Sequence, residues 1–172
     1  KEFKTPTTGP APAINPAAEA GRPFAVWATP ATTNSEYQNE LIGKFAAGLD
    51  VHQTAAFGLA QAIDAADPVN IRAAVAQAMA DTPEGITDIV LGCTHYGLVA
   101  DVIRAARPGI RQLYDSHGAV AQQTLHRLGL KPNPEAQPTG RLRHVYLSGR
   151  PGELPAAVGA YPAGQALMDI AV

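Results

Sequence analysis

Cys93 and His95 stand two residues apart in LGCTHYGL (91–98), and Cys93 is the only cysteine of the chain. A thiolate can serve as nucleophile, base or metal ligand. His95 can hold or move a proton near neutral pH. Thr94 adds a hydroxyl and a backbone amide between them. The plainer reading of a lone cysteine is a small buried hydrophobe. Its company and its place after an apolar run argue for chemistry instead. Zinc is poorly served: Cys-x-His supplies two ligands, and His52, His117, His126 and His144 show no ligand spacing. A Cys–His hydrolase would need a separate base and oxyanion donors, which spacing does not show. Thr29, Thr32 and Thr33, in WATPATTNS, follow a second apolar run. They read either as carboxylate binders or as turn and cap residues.

These residues need a scaffold. ITDIVLG (86–92), just before Cys93, is rich in β-branched residues and reads as a strand. So do PFAVWAT (23–29), with Trp27 in the core, LDVHQT (49–54), IRQLYD (110–115) and RHVYLS (143–148). Helical spacing predicts helices over 35–48, 57–66, 69–81, 95–109 and 116–129, with a weak one near 153–160. In the first, Ser35 and Gln38 form a capping box, and Tyr37, Leu41, Ile42 and Phe45 share a face. Ser116 reads as an N-cap rather than a catalyst, and His126 as a surface residue. Strands alternating with helices predict an α/β fold, a parallel sheet with helices on both faces. Sites in such sheets form beyond the carboxyl ends of the strands, which is where Cys93 falls. Residues 1–22, rich in Pro, Ala and Thr, are expected to be a connector with one helical turn.

The 172 residues carry a net charge of −2, with 46% hydrophobic and 16% charged. That is a globular composition of ordinary domain size. It offers no basic stripe for nucleic acid, and no apolar run of membrane-spanning length. One cysteine allows no internal disulfide, which suits a reducing, cytoplasmic location. No Gly-rich phosphate loop is present. Lys1 rather than Met at the start implies that a segment precedes it.

LGCTHYGL resembles the second-cysteine motif of the bacterial glutamate racemases, LGCTHYP followed by an aliphatic residue. PAINPA (12–17), WATPATTNSEYQNELI (27–42), YDSHGAVA (114–121) and HVYLSGRPGEL (144–154) resemble further segments of that family in the same order. The resemblance implies an aspartate/glutamate racemase-like α/β fold and a cofactor-independent, metal-free isomerase. Two cysteines there work on opposite faces of the substrate α-carbon, interconverting L- and D-glutamate for peptidoglycan. It implies Cys93 and His95 as catalytic, and Thr94, His95 and Thr32 as substrate-binding. It also implies a racemase-like unit over 23–116. Residues 117–172 would then be a return segment completing a missing N-terminal domain. The implied partners are a small amino-acid substrate, no nucleic acid or membrane, and a homodimer or the missing half.

The resemblance also exposes departures. The family's first cysteine, in a segment like ACNTA, and its DSG motif are absent, so one thiol cannot supply both faces. Other readings follow from this: a racemase-like module that binds a carboxylate without catalysis, or a racemase of another amino acid such as aspartate. A missing half also predicts an exposed apolar face and self-association. Gly97 stands in place of the motif proline and is expected to loosen the Cys93 loop. In GLAQAID (58–64), Gln61 stands where the family has a glutamate that partners the motif histidine. His95 is therefore expected to lack a negative partner.

Overall fold

The computed structural model describes residues 13–136 and 144–169. Its centre is a parallel sheet of β1 (Phe24–Ala28), β2 (Val51–Ala55), β3 (Asp88–Leu91) and β4 (Gln112–Tyr114), in the order β2-β1-β3-β4. β1 pairs along its length with β2, Phe24 opposite Val51 and Ala28 opposite Ala55. On its other side Ala25 lies opposite Ile89 and Trp27 opposite Leu91. Every residue of β1 and β3 is buried. A central parallel strand is covered on both faces and reads as a continuous apolar run, which is why FAVWA and DIVL stand out.

Alternate residues face two cores. Phe24, Val26 and Val90 pack with α1 (Ile14–Glu19) and α2 (Glu36–Phe45). Ala25, Trp27, Ile89 and Leu91 pack with α3 (Leu59–Asp64), α4 (Pro68–Ala80) and α5 (Ala100–Ala106). The expected parallel sheet with helices on both faces is what forms. Trp27 is fully buried, and its indole Nε1 donates to Thr82 Oγ1 at 2.9 Å, so the ring's polar edge is satisfied. At the amino end of β3, the buried Asp88 accepts from Arg22 Nη2 at 2.6 Å and from Tyr114 OH at 3.1 Å. Arg107 spans a loop, its guanidinium donating to the carbonyls of Met79 and Thr82 at 2.6 and 2.8 Å.

Helix boundaries follow local chemistry. Ser35 accepts from the Gln38 amide at 3.2 Å and caps α2. The return half of the expected capping box is not made, because the Gln38 amide group turns to Gln53 instead. Leu41, Ile42 and Phe45 pack on the core, whereas Tyr37 is exposed. Asp67 caps α4, with Pro68 at its first position, where the missing N–H costs nothing. Ser116 does not cap α6 (His117–Arg127): its backbone is already helical, and the Asp115 carboxylate accepts from the His117 amide.

Other segments differ from expectation. Within the expected connector, residues 13–22 hold α1, with Ala13, Ile14 and Ala17 buried. Pro16 falls in the helix's first turn, where proline is tolerated; residues 1–12 lie outside the described part. The helix expected over 95–109 begins as a 3-10 turn, Thr94–Val99, before α5. RHVYLS does not join the main sheet. β5 (Val145–Leu147) pairs antiparallel with β6 (Arg150–Gly152) in a small separate hairpin, and residues 141–143 are outside the described part. Near the carboxyl end, a 3-10 turn over Ala156–Ala160 leads into α7 (Pro162–Asp169), where only a weak earlier helix was expected.

Candidate functional site

The strand order places the site. From β1 the chain crosses to β2 on one side, and from β3 to β4 on the other. The carboxyl ends of β1 and β3 therefore flank the point where the winding reverses, where α/β sheets open a crevice. Thr29–Asn34 follows β1, and Gly92–Cys93 follows β3. The two ends are tied together: Gly92 N–H donates to Trp27 O at 2.8 Å. A Cβ on Gly92 would sit 2.8 Å from that same oxygen, so only glycine lets β3 run this close to β1.

Cys93 follows in extended backbone (φ −119°, ψ 135°) and its carbonyl accepts from the Tyr96 amide at 3.1 Å, opening the Thr94–Val99 turn. Tyr96 anchors that turn. Its ring is fully buried and its hydroxyl points to Ala56 O. Burial, and then the neighbouring Cys93, push the Tyr96 phenol far above its ordinary range, so it stays a neutral donor. The turn swings His95 back over Cys93. Nδ1 of His95 lies 3.4 Å from Cys93 Sγ. On the far side of the ring, Nε2 lies 3.0 Å from Asp64 Oδ1.

Asp64 corrects the expectation that His95 has no negative partner. It is the last residue of α3, three positions beyond Gln61. Residues three apart share a helix face, so the carboxylate is supplied one turn further along the same helix. Gln61 instead lines a separate cleft with Phe57, Asp67 and Asn70. The Asp64 carboxylate favours the neutral tautomer with its proton on Nε2. Nε2 faces an acceptor and carries the proton, which leaves Nδ1 of the neutral ring as an acceptor aimed at the thiol. His95 thus bridges the Cys93 thiol and the Asp64 carboxylate through its two ring nitrogens.

Of the four candidate residues, Thr32 and His95 line two different clefts. Thr32 lines one of about 200 Å³ with Gly92, Tyr37, Gln38 and Leu41. Its hydroxyl lies 3.1 Å from that of Thr29, and Thr33 Oγ1 donates to Thr29 O, so the three threonines also hold their own turn. His95 and Asp64 line another cleft of about 250 Å³, roofed by Pro155, Val158 and Tyr161. Cys93, partly buried, lies in the chain between Gly92 of the first cleft and His95 of the second. Thr94 is exposed at the head of the turn. Asp64 and Tyr161 carry no motif; the signal for Asp64 was its i, i+3 relation to Gln61.

Gly97 lies in the regular 3-10 turn without a positive φ. The space beside it is filled: a Cβ there would come within 2.5 Å of the His117 ring. The glycine makes room for the His117 imidazole.

Among the described residues, no group of three or more His, Cys, Asp or Glu is placed to hold a metal, and no helix is long and apolar enough to cross a membrane. No protein-family model matches the chain. Known proteins do. The glutamate racemase of Agrobacterium fabrum is 34% identical over 152 residues, 83% of this chain and 55% of that protein. That of Pectobacterium carotovorum is 31% identical over 141 residues, 78% of this chain and 50% of its own length. The chain is a relative of the glutamate racemases. Escherichia coli glutamate racemase, solved with L-glutamate and the activator UDP-MurNAc-Ala, superposes with a TM-score of 0.66 at 25% identity. It covers 81% of this chain and 55% of that one. The chain thus spans about half the length of the glutamate racemases it matches, with the Cys93 turn at the switch point of its sheet.

Proposed function

We propose that Cys93 is one of two proton-transferring bases of a glutamate racemase whose other base lies outside this chain. The observation that carries this reading is the line Asp64–His95–Cys93 at the carboxyl end of β3. A racemase needs a base that gives up its proton before substrate deprotonation and holds one afterwards. Cys93 passes its proton to His95 Nδ1. The thiolate then removes the α-proton of glutamate and becomes a thiol, and the carbanion is reprotonated from the opposite face. One thiol serves one face, so this chain alone carries half of a two-base reaction. No step uses a metal or an organic cofactor. Thr32 and Thr94 are assigned to the substrate carboxylates, and His95 to both substrate and thiol. The opposing base would come from an N-terminal half or from a partner copy. The setting is the cytoplasm, with D-glutamate going to peptidoglycan.

The test is α-proton exchange in D₂O, followed by NMR with L-glutamate and D-glutamate separately. Exchange of one enantiomer is expected, lost by at least about a hundredfold in Cys93→Ser, because general-base groups contribute on that scale. Exchange of neither at millimolar substrate would overturn the assignment. Glutamate binding without exchange would point to a carboxylate-binding module, a reading favoured by the half-length match. Exchange of aspartate alone would reassign the substrate.

A further inference from the structure

The carboxyl-terminal segment reaches back over this site. Tyr161 is 9% exposed and belongs to the core that holds Trp27, Leu91 and Tyr96. Its hydroxyl donates to the carbonyl of Ile63, 98 residues earlier in the chain. Ile63 is buried and immediately precedes Asp64 in the last turn of α3. The Ile63 carbonyl also accepts from the Ala66 amide at 2.9 Å, so the Tyr161 hydroxyl is a further donor to it, and a carboxylate at this helix end meets the negative end of the peptide dipoles. A helix this short, with an acidic residue at its end, is held in place by what docks on it. Around the cleft, Tyr161 and Val158 stand opposite Ile63, Asp64 and His95. Gly164 allows α7 to pack on the preceding turn, since a Cβ there would overlap the Val158 carbonyl.

We infer that Tyr161 is a positioning residue for the Cys93 thiol, acting through the Ile63 carbonyl on Asp64, and through Asp64 on the tautomer of His95. It touches neither substrate nor thiol. By holding the end of α3, it keeps the carboxylate 3.0 Å from Nε2, and so keeps the His95 Nδ1 lone pair on Cys93. The inference rests on the reading of Cys93 as a base, but its test requires no turnover. A chain that fails to exchange glutamate leaves the result intact.

The readouts are the ring ¹⁵N shifts of His95, which report the tautomer, and the alkylation rate of Cys93 by iodoacetamide, unambiguous in a chain with one cysteine. Wild type is expected to show the Nε2–H tautomer. Tyr161→Phe keeps the buried ring, removes the donor and is expected to mix the tautomers. It should slow alkylation by about threefold, the scale of one modest hydrogen bond. Asp64→Asn is expected to do the same more strongly, and adding Tyr161→Phe to Asp64→Asn should change nothing further. Placing p-aminophenylalanine at position 161 restores a donor and is expected to return both signals to wild type. A Tyr161→Phe variant with a lowered melting temperature but a wild-type tautomer and rate would reduce Tyr161 to a core residue and overturn the inference. So would a full additional effect in the Asp64→Asn background. If Tyr161→Phe does not fold, the p-aminophenylalanine protein decides: a wild-type tautomer supports the inference, and a shifted one overturns it.

Discussion

The stretch from β1 to β4 and the stretch from α6 onward use similar sequence material to different ends. In the first, apolar strands lie between two helical layers, and Phe24, Trp27 and Ile89 are fully buried. In the second, Val145-Tyr146-Leu147 has equal strand character, yet Tyr146 is 61% and Leu147 47% exposed. Leu128 and Leu130, at the end of α6, are likewise open. Tyr161 is the exception, being seated in the principal core. Strand propensity is shared by both regions; what differs is whether a neighbour covers the strand. The first region carries the thiol on a covered sheet, whose two cores are completed by α1 before it and Tyr161 after it. The second leaves Leu128, Leu130, Tyr146 and Leu147 open to solvent.

The largest test of this contrast is Trp27→Ala. Emptying a fully buried aromatic position costs about 4 kcal/mol, a large share of the roughly 5–15 kcal/mol of an ordinary domain, and urea denaturation should show it. An effect below about 1 kcal/mol would break the claim that β1 is the centre of the core. Gly92→Ala comes next. Its Cβ would meet a backbone oxygen that cannot swing aside, so a loss of about 2 kcal/mol is expected, with altered Cys93 alkylation. Stability without altered reactivity would separate the strand contact from the thiol.

A pH experiment sharpens the contrast further. Burial pushes Asp88 up, but hydrogen bonds from Arg22, Thr87 and Tyr114 outweigh it and hold the carboxyl below its usual range. A depressed folded-state pKa adds stability that is complete above the unfolded value, near 3.9, and is lost as pH falls through the folded one. Acid titration of stability should therefore be shallower in Asp88→Asn than in wild type, and identical slopes would remove Asp88 from the account. The smallest effect belongs to the exposed hairpin. Tyr146→Ser with Leu147→Ser should change stability by less than about 0.5 kcal/mol, while lowering self-association in light scattering. A large stability loss would mean that the hairpin belongs to the core after all.

Much of the first region was legible because its signals are local. A buried parallel strand announces itself as FAVWA or DIVL, and Ser35 sits at the right spacing to cap α2. Cys93 was placed at a strand end by pattern alone. The Asp64 partner was not, because the motif points to position 61, and only the helix geometry shows that 64 lies on the same face. Tyr161 was out of reach for a different reason. Its partner is 98 residues away, and no periodicity encodes a contact at that range. RHVYLS has the composition of a sheet strand but not the neighbours, and composition does not report neighbours.

Two glycines flank the thiol, and they differ in how mutational history can treat them. At Gly92 a new side chain strikes the main chain of β1, which no exchange elsewhere can move. At Gly97 the obstacle is the imidazole of His117, a half-exposed side chain that can turn away or be replaced. The steric penalty for alanine at 97 is therefore conditional on residue 117: present with histidine, relieved with alanine. An evolutionary path that shrinks 117 before enlarging 97 meets no barrier, whereas the opposite order first evicts the ring.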